Sequence, residues 1–292
     1  MTFRRSMKVS KRDKKDKSAQ SKKAKQTPYI DIILEKTDEI YPTSTIEQAM
    51  KTFLKTRVRA LPVVDPGQKI LLGAVSPNDI INYYCGGEKH KIFLKNNETM
   101  QSAVNTPVSM IMNERPIACD EKTDIEKALE LLKDTNTVFV TRGKKIIGKV
   151  GIETVVHALR GAEISAKVKD VMIKNPVTAT PGYTVKDACE ILVRNHFGEL
   201  PVVQEGELAG IITYADLMKY ISGPALKKTH EQATSERISV IMTMDVVTAD
   251  PEEKLESAIK KMEETGYRAL PVVDKTLVGI ITQRDIVRKI KQ

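Results

Sequence analysis

Apolar residues recur at the i, i+3, i+4, i+7 spacing of one buried helix face in four places along the chain. They are Ile46, Ala49, Met50 and Phe53; Ile125, Ala128, Leu129 and Leu132; Val185, Ala188, Cys189 and Leu192; and Leu255, Ala258, Ile259 and Met262. Each predicted helix is followed by a strand-sized run rich in β-branched residues: ALPVVD at 60–65, TVFVT at 137–141, ELPVV at 199–203 and ALPVVD at 269–274. A polar turn and a second apolar run come next, of which TLVGIIT is an example. That second run ends in GIITYAD at 210–216 and again in GIITQRD at 279–285, 69 residues apart. Self-similarity at such a period marks a repeated supersecondary unit. The unit reads strand, helix, strand, turn, strand, helix over about 60 residues. It is too small to bury much surface alone, so the four copies are expected to pack in pairs.

LPVV, followed by glycine, a hydrophobic pair, Thr or Ser, two residues and Asp, resembles the cystathionine-β-synthase (CBS) domain family. Lead-in motifs such as VKDVMIKNPVTA at 168–179 add to the likeness. The resemblance runs from about residue 29 to 292, is strong in repeats 3 and 4, good in repeat 1 and poor in repeat 2. It implies an α+β fold of four CBS repeats (strand-helix-strand-strand-helix) paired into two Bateman modules, with closure into a four-domain disc as the arrangement to look for. The expected division is a basic, disordered N-terminal arm 1–28, repeat 1 at 29–85, a linker 86–105, repeat 2 at 106–163, repeat 3 at 164–222, a linker 223–236 and repeat 4 at 237–292. The four-repeat arrangement is similar to that of archaeal members of the family.

Charge changes the picture at one end only. The formal charge is +9, from 47 Lys and Arg against 38 Asp and Glu. Eleven of the cations lie in residues 1–28: Arg4, Arg5, Lys8, Lys11, Arg12, Lys14, Lys15, Lys17, Lys22, Lys23 and Lys25. Only Asp13 and Asp16 oppose them, which leaves 36 of each sign in the repeats. So apolar-poor a segment cannot fold alone. Concentrated Lys and Arg bind phosphate polyanions through counterion release, so RNA binding through these eleven residues is expected; a solubilising extension is the other reading. Phe3 is the arm's sole aromatic residue, so stacking on bases is not expected.

No apolar run approaches the roughly 18 residues of a membrane span, and no apolar stretch follows the basic start as in a secretory signal. A cytoplasmic protein with no membrane partner is expected. Cys85, Cys119 and Cys189 are widely spaced and read as ordinary reduced thiols.

The repeated glycine-to-aspartate segment carries the candidate chemistry. Its glycine admits a close backbone approach. The hydroxyl of Thr213 or Thr282 falls where strand gives way to helix, and Asp216 or Asp285 falls in the first turn. A helix N-terminus attracts phosphate, and a carboxylate suits a pair of ribose hydroxyls. Ile212 and Ile281 would wall an adenine. The resemblance implies the same roles, because in the CBS family this Thr/Ser and Asp bind phosphate and ribose of adenosine ligands. Each copy therefore reads as half of a cleft for AMP, ADP or ATP, with no metal. A Thr with Asp three residues on is equally a capping box, and both readings stand.

Repeat 1 preserves the pattern as Gly73, Ala74, Val75, Ser76 and Asp79. Repeat 2 has Gly151 in place of the hydroxyl, Thr154 in place of the aspartate and Val138 in place of the proline, so its site is expected to be empty and structural. Arg59 and Arg268 stand two residues before LPVV, where the resemblance implies a side chain facing the ligand's phosphate. Arg284 lies in the GIITQRD turn, whereas repeat 3 offers Gly198 and Glu199. GKKIIGK at 143–149 approaches a phosphate-binding loop, but Val150 replaces the hydroxyl that would meet magnesium, and the segment aligns with a turn and strand. His90, His157, His196 and His230 lack metal-ligand spacing.

These readings point to a non-enzymatic, adenine-nucleotide-sensing regulatory protein that docks through its arm on RNA, the ribosome above all, in a silencing or hibernation role. A nucleotide-responsive regulatory subunit of a separate enzyme or transporter is the alternative. A homodimer and a regulated protein partner are further expectations, and no residues are seen to carry catalysis.

Overall fold

The computed structural model describes residues 33–96, 99–159 and 164–290. Repeat 1 runs α1 (Ile46–Thr56), β1 (Leu61–Val64), β2 (Leu71–Val75) and α2 (Pro77–Cys85), followed by α3 (His90–Asn96) and α4 (Met100–Val104). Repeat 2 comprises β3 (Ala118–Asp120), α5 (Ile125–Leu131), β4 (Thr137–Arg142), β5 (Lys145–Gly151) and α6 (Ile152–Ala158). In repeat 3 the order is β6 (Ile173–Lys174), α7 (Val185–Asn195), β7 (Glu199–Gln204), β8 (Glu207–Thr213) and α8 (Tyr214–Ile221), with α9 (His230–Thr234) beyond it. Repeat 4 has α10 (Leu255–Thr265), β9 (Ala269–Asp274), β10 (Thr276–Thr282) and α11 (Gln283–Ile290).

All sixteen residues of the four apolar helix stripes are buried. Capping boxes at Thr45 and Thr184 open α1 and α7, and left-handed residues close them at Arg57 and His196. Gly266 does the same for α10. In every repeat the chain then enters an antiparallel hairpin.

The strand expected at the head of each repeat is largely absent as a strand. Only repeat 2 keeps three rungs, β3 running parallel to β4. Elsewhere the lead-in makes a single parallel bridge, Ile40 to Val63, Ala179 to Val202 and Ala249 to Val272. The lead-in serves instead a second, partner repeat, whose outer edge it completes in antiparallel fashion. Glu35 pairs with Lys149, Asn113 with Ala74, β6 with β10, and Thr243 with Ile211. Repeats 1 and 2 thus exchange lead-ins, as do repeats 3 and 4, and sheet edges that would template aggregation are covered.

The repeated glycine makes this exchange fit. A Cβ on Gly73, Gly210 or Gly279 would lie 2.8, 2.8 or 3.0 Å from the carbonyl oxygen of Asn113, Thr243 or Ile173, and on Gly148 it would lie 2.5 Å from that of Glu35. The close approach the glycine permits is therefore to the donated segment.

The helix layers decide the larger order. One core joins repeat 1 to repeat 3 and another joins repeat 2 to repeat 4. Val64, Ala74, Phe139 and Ile146 seal the sheets of repeats 1 and 2 together, and β8 lies against β10. The repeats close a ring in the order 1, 2, 4, 3. Segments 86–105 and 223–236, read from the sequence as linkers, carry α3, α4 and α9 and bury Phe93, Met100, Ala103, Val104, Ala225 and Ala233.

Between repeats 3 and 4, Glu252 accepts from Lys167 at 2.7 Å and from Lys169. The Lys167 bond first, then that of Lys169, lowers its carboxyl from 4.5 to about 2. A folded-state value below the unfolded one gives stability that is present above about pH 4.5 and lost as pH falls towards 2. Wild type is therefore expected to exceed Glu252→Gln in thermal midpoint at pH 6 and to lose that advantage by pH 2, a comparison that a calorimetric pH series makes directly.

Candidate functional site

Three of the four turns from second strand to helix build the same capping box. Thr213 donates its hydroxyl to Asp216 Oδ2 at 2.6 Å and its amide to the same oxygen at 2.9 Å, and its Oγ1 accepts the Asp216 amide at 3.2 Å. Thr282 and Asp285 repeat this, in the same order, at 2.6, 3.0 and 3.3 Å, and Ser76 and Asp79 at 2.6, 2.8 and 3.3 Å. The capping reading is realised in every copy that carries the motif. It occupies one carboxylate oxygen, and the remaining oxygen distinguishes the copies. Oδ1 of Asp79 takes Lys89 and Oδ1 of Asp216 takes the Thr243 hydroxyl at 3.2 Å, whereas Oδ1 of Asp285 takes no hydrogen bond among the described residues.

Repeat 2 fills the equivalent place with charge. Lys149 occupies the strand position of Ile211 and Ile280, is 4% exposed, and donates to Glu35 at 3.1 Å and Glu153 at 2.7 Å. The Thr154 hydroxyl, in the aspartate's place, donates to Glu35 at 2.8 Å. Burial, the largest influence, opposes charge on both Lys149 and Glu153, but their mutual attraction prevails: the lysine is raised and the Glu153 carboxyl lowered.

The residues just before the middle strands and in the first turns of the following helices meet at the ring's centre. Arg59 donates to Gln283 Oε1 at 2.6 Å and has Nε 3.4 Å from Glu153 Oε2. Arg268 donates to the carbonyls of Arg57 and Val58, the latter at 3.2 Å. Arg284 holds Asn136 Oδ1 from Nη2 at 2.7 Å and from Nε at 3.2 Å. Tyr214 of repeat 3 donates to Asn78 of repeat 1 at 2.7 Å. Burial, then Arg59, pulls Arg268 down to about 10; burial, then Arg288 and Arg59, lowers Arg284. Arg268 remains a cation at neutral pH, with Glu199 and Glu153 as the carboxylates acting on it. The arginines picked out in the sequence thus gather in one cluster where all four repeats contribute.

Ile212 and Ile281 require a correction. Strand alternation turns both into the helix-side cores, where they are fully buried. Apolar residues that do reach the surface beside these strands are Ile173, Val177 and Met244, on the lead-ins of repeats 3 and 4. Sequence reading also passed over Lys149, Glu153, Glu35, Asn136 and Gln283. The one available signal was a lysine inside an otherwise apolar strand run. GKKIIGK forms the β4–β5 turn and β5. No group of three or more His, Cys, Asp or Glu gathers as a metal site among the described residues. No helix among them is long and apolar enough to cross a membrane. The eleven cations of the arm lie outside the described residues.

A closed ring of four small repeats, with edges exchanged in pairs and a cation-rich hub, defines a tandem-repeat module protein. The family model described as CBS domain matches residues 37–86, 108–161, 168–223 and 238–292, and the chain belongs to that family as two Bateman modules. It is 34% identical over 262 residues to the uncharacterized protein MJ1225 of Methanocaldococcus jannaschii, covering 85% of this chain and 93% of that one. The crystal structure of MJ1225, described as a proposed archaeal homolog of g-AMPK, superposes with a TM-score of 0.83 at 31% identity over 90% of this chain and all of that one. An uncharacterized 33.4 kDa protein in a ribosomal RNA operon of Thermofilum pendens is 25% identical over 248 residues, 81% of this chain and 82% of that one.

Proposed function

We propose that the chain is a cytoplasmic, non-enzymatic regulatory protein that senses AMP, ADP or ATP in clefts between paired repeats. The observation that carries this reading is the hub. Arg59, Arg268 and Arg284 converge there with the N-terminal turns of α2, α8 and α11, so cationic side chains and helix-dipole ends face one region, with Glu153, Glu199 and Asp285 as the carboxylates acting on the arginines. Such a region suits phosphates. Asp285 offers ribose hydroxyls a carboxylate oxygen that takes no hydrogen bond among the described residues, and Ile173, Val177 and Met244 offer apolar surface to a base. The likeness to MJ1225, described as a proposed g-AMPK homolog, supports nucleotide sensing and also favours the second reading, a subunit that regulates a separate enzyme. Ligand alters the packing of the modules only if it binds two arrangements unequally.

Isothermal titration of the full chain with AMP, ADP and ATP is expected to give saturable binding at three sites or fewer, repeat 2 being filled by its own side chains. Absence of saturable heat with all three nucleotides overturns the reading.

The basic arm, residues 1–28, is the proposed RNA-docking device, with the ribosome as its target. Its eleven cations support this, as does the position of the Thermofilum relative in a ribosomal RNA operon. Co-sedimentation with ribosomal subunits should fall steeply with salt and disappear on deletion of residues 1–27. Binding that survives high salt or the deletion would favour a regulated protein partner.

A further inference from the structure

The contact between Arg59 and Glu153 is oddly made. Arg59 Nε and Glu153 Oε2 lie 3.4 Å apart, both shielded from water, and neither makes a hydrogen bond among the described residues. Glu153 is not positioned by Arg59. Its other oxygen is fixed by Lys149 at 2.7 Å, and Lys149 is itself enclosed in the cleft of repeat 2 and tied to Glu35. Glu35 in turn holds Thr154, so the carboxylate is anchored from repeat 2 and from the lead-in donated by repeat 1. Arg59 meanwhile directs Nη2 to Gln283 of repeat 4 and keeps a buried N–H donor facing this fixed anion.

We propose that Glu153 is a specificity-determining residue, a resident anion on Arg59 that makes the hub discriminate against nucleotides carrying more phosphates. This rests on the nucleotide reading above. A phosphate oxygen that reaches Arg59 does so beside a carboxylate held by Lys149, which Glu35 fixes in turn. Each additional phosphate charge meets the same repulsion in surroundings of reduced dielectric, so the cost grows from AMP to ATP. The substitutions in repeat 2 then have a joint purpose: they close one cleft and supply the counter-charge for its neighbour.

The test is titration of AMP and ATP into the full chain, into Glu153→Gln, and into Glu153→Asp, which keeps a charge for Lys149 while shortening the reach towards Arg59. The ratio of ATP to AMP affinity is expected to rise at least about tenfold in Glu153→Gln and by a smaller factor in Glu153→Asp. Should Glu153→Gln fail to unfold cooperatively, Glu153→Asp carries the comparison. Nucleotide binding with an unchanged ratio in the folded variants overturns the role of Glu153 and leaves the nucleotide reading standing. Failure of both nucleotides to bind wild type and variants alike removes both.

Discussion

Replacing Gly210 by valine is expected to destabilise the chain by about 3 kcal/mol, lowering the thermal midpoint by roughly 6–12 °C. The new Cβ would sit 2.8 Å from the Thr243 carbonyl oxygen and 3.0 Å from Met242 Sδ. The thioether can move, but the carbonyl cannot retreat without losing the paired hydrogen bonds between Ile211 and Thr243, both 2.9 Å. That pair closes the outer edge of β8 with the lead-in of repeat 4, so overpacking there opens the exchange that joins the two repeats. Gly67→Ala is the control. Its added Cβ would meet only Asp65 Oδ1, at an ordinary 3.5 Å, and the midpoint should stay within about 2 °C. Equal midpoints for both variants would refute the close approach.

Asp285→Ala is expected to weaken binding of the preferred adenine nucleotide by about 100-fold. A hydrogen bond to a charged partner contributes about 1.5–3 kcal/mol, and this carboxylate has one oxygen to give while its other keeps the cap. Asp79→Ala should cost nucleotide affinity least, since Lys89 already holds Oδ1 there. Both variants also lose a capping interaction, worth about 1 kcal/mol of stability. Melting curves therefore accompany the titrations: a larger loss of affinity in Asp285→Ala at a stability loss no greater than that of Asp79→Ala, which also gives up Lys89, identifies Asp285 as a ligand contact, and equal affinities reduce it to a cap.

Much of the fold was legible because it is local. Helix stripes such as Val185, Ala188, Cys189 and Leu192 declare their buried face through spacing alone, and the hairpins follow from β-branched runs broken by polar turns. The first strand of each repeat was not legible. Its residues serve an edge belonging to another repeat, and Pro176 removes a backbone donor beside the very run that would have been the strand in repeat 3. Ile212 and Ile281 were misjudged for a related reason: the motif identifies a strand but not which alternate face meets the helix layer. The arginines could be picked out singly, yet that Arg59 faces Glu153 of repeat 2 and Gln283 of repeat 4 depends on the ring order, which no local pattern encodes.

The ring order also sets a schedule for biosynthesis. A chain emerging from its N-terminus can complete the exchanged sheets of repeats 1 and 2 once β5 is out. The apolar faces of α1 and α2, however, meet α3 and α4 at once but are completed only by α7 and α8 of repeat 3. The face of α6 waits longer still, for α11. Half of the protein thus passes through a stage with finished sheets and sticky helices, when a pause in elongation leaves it a client for chaperones, and only arrival of the last repeat's helix ends that exposure.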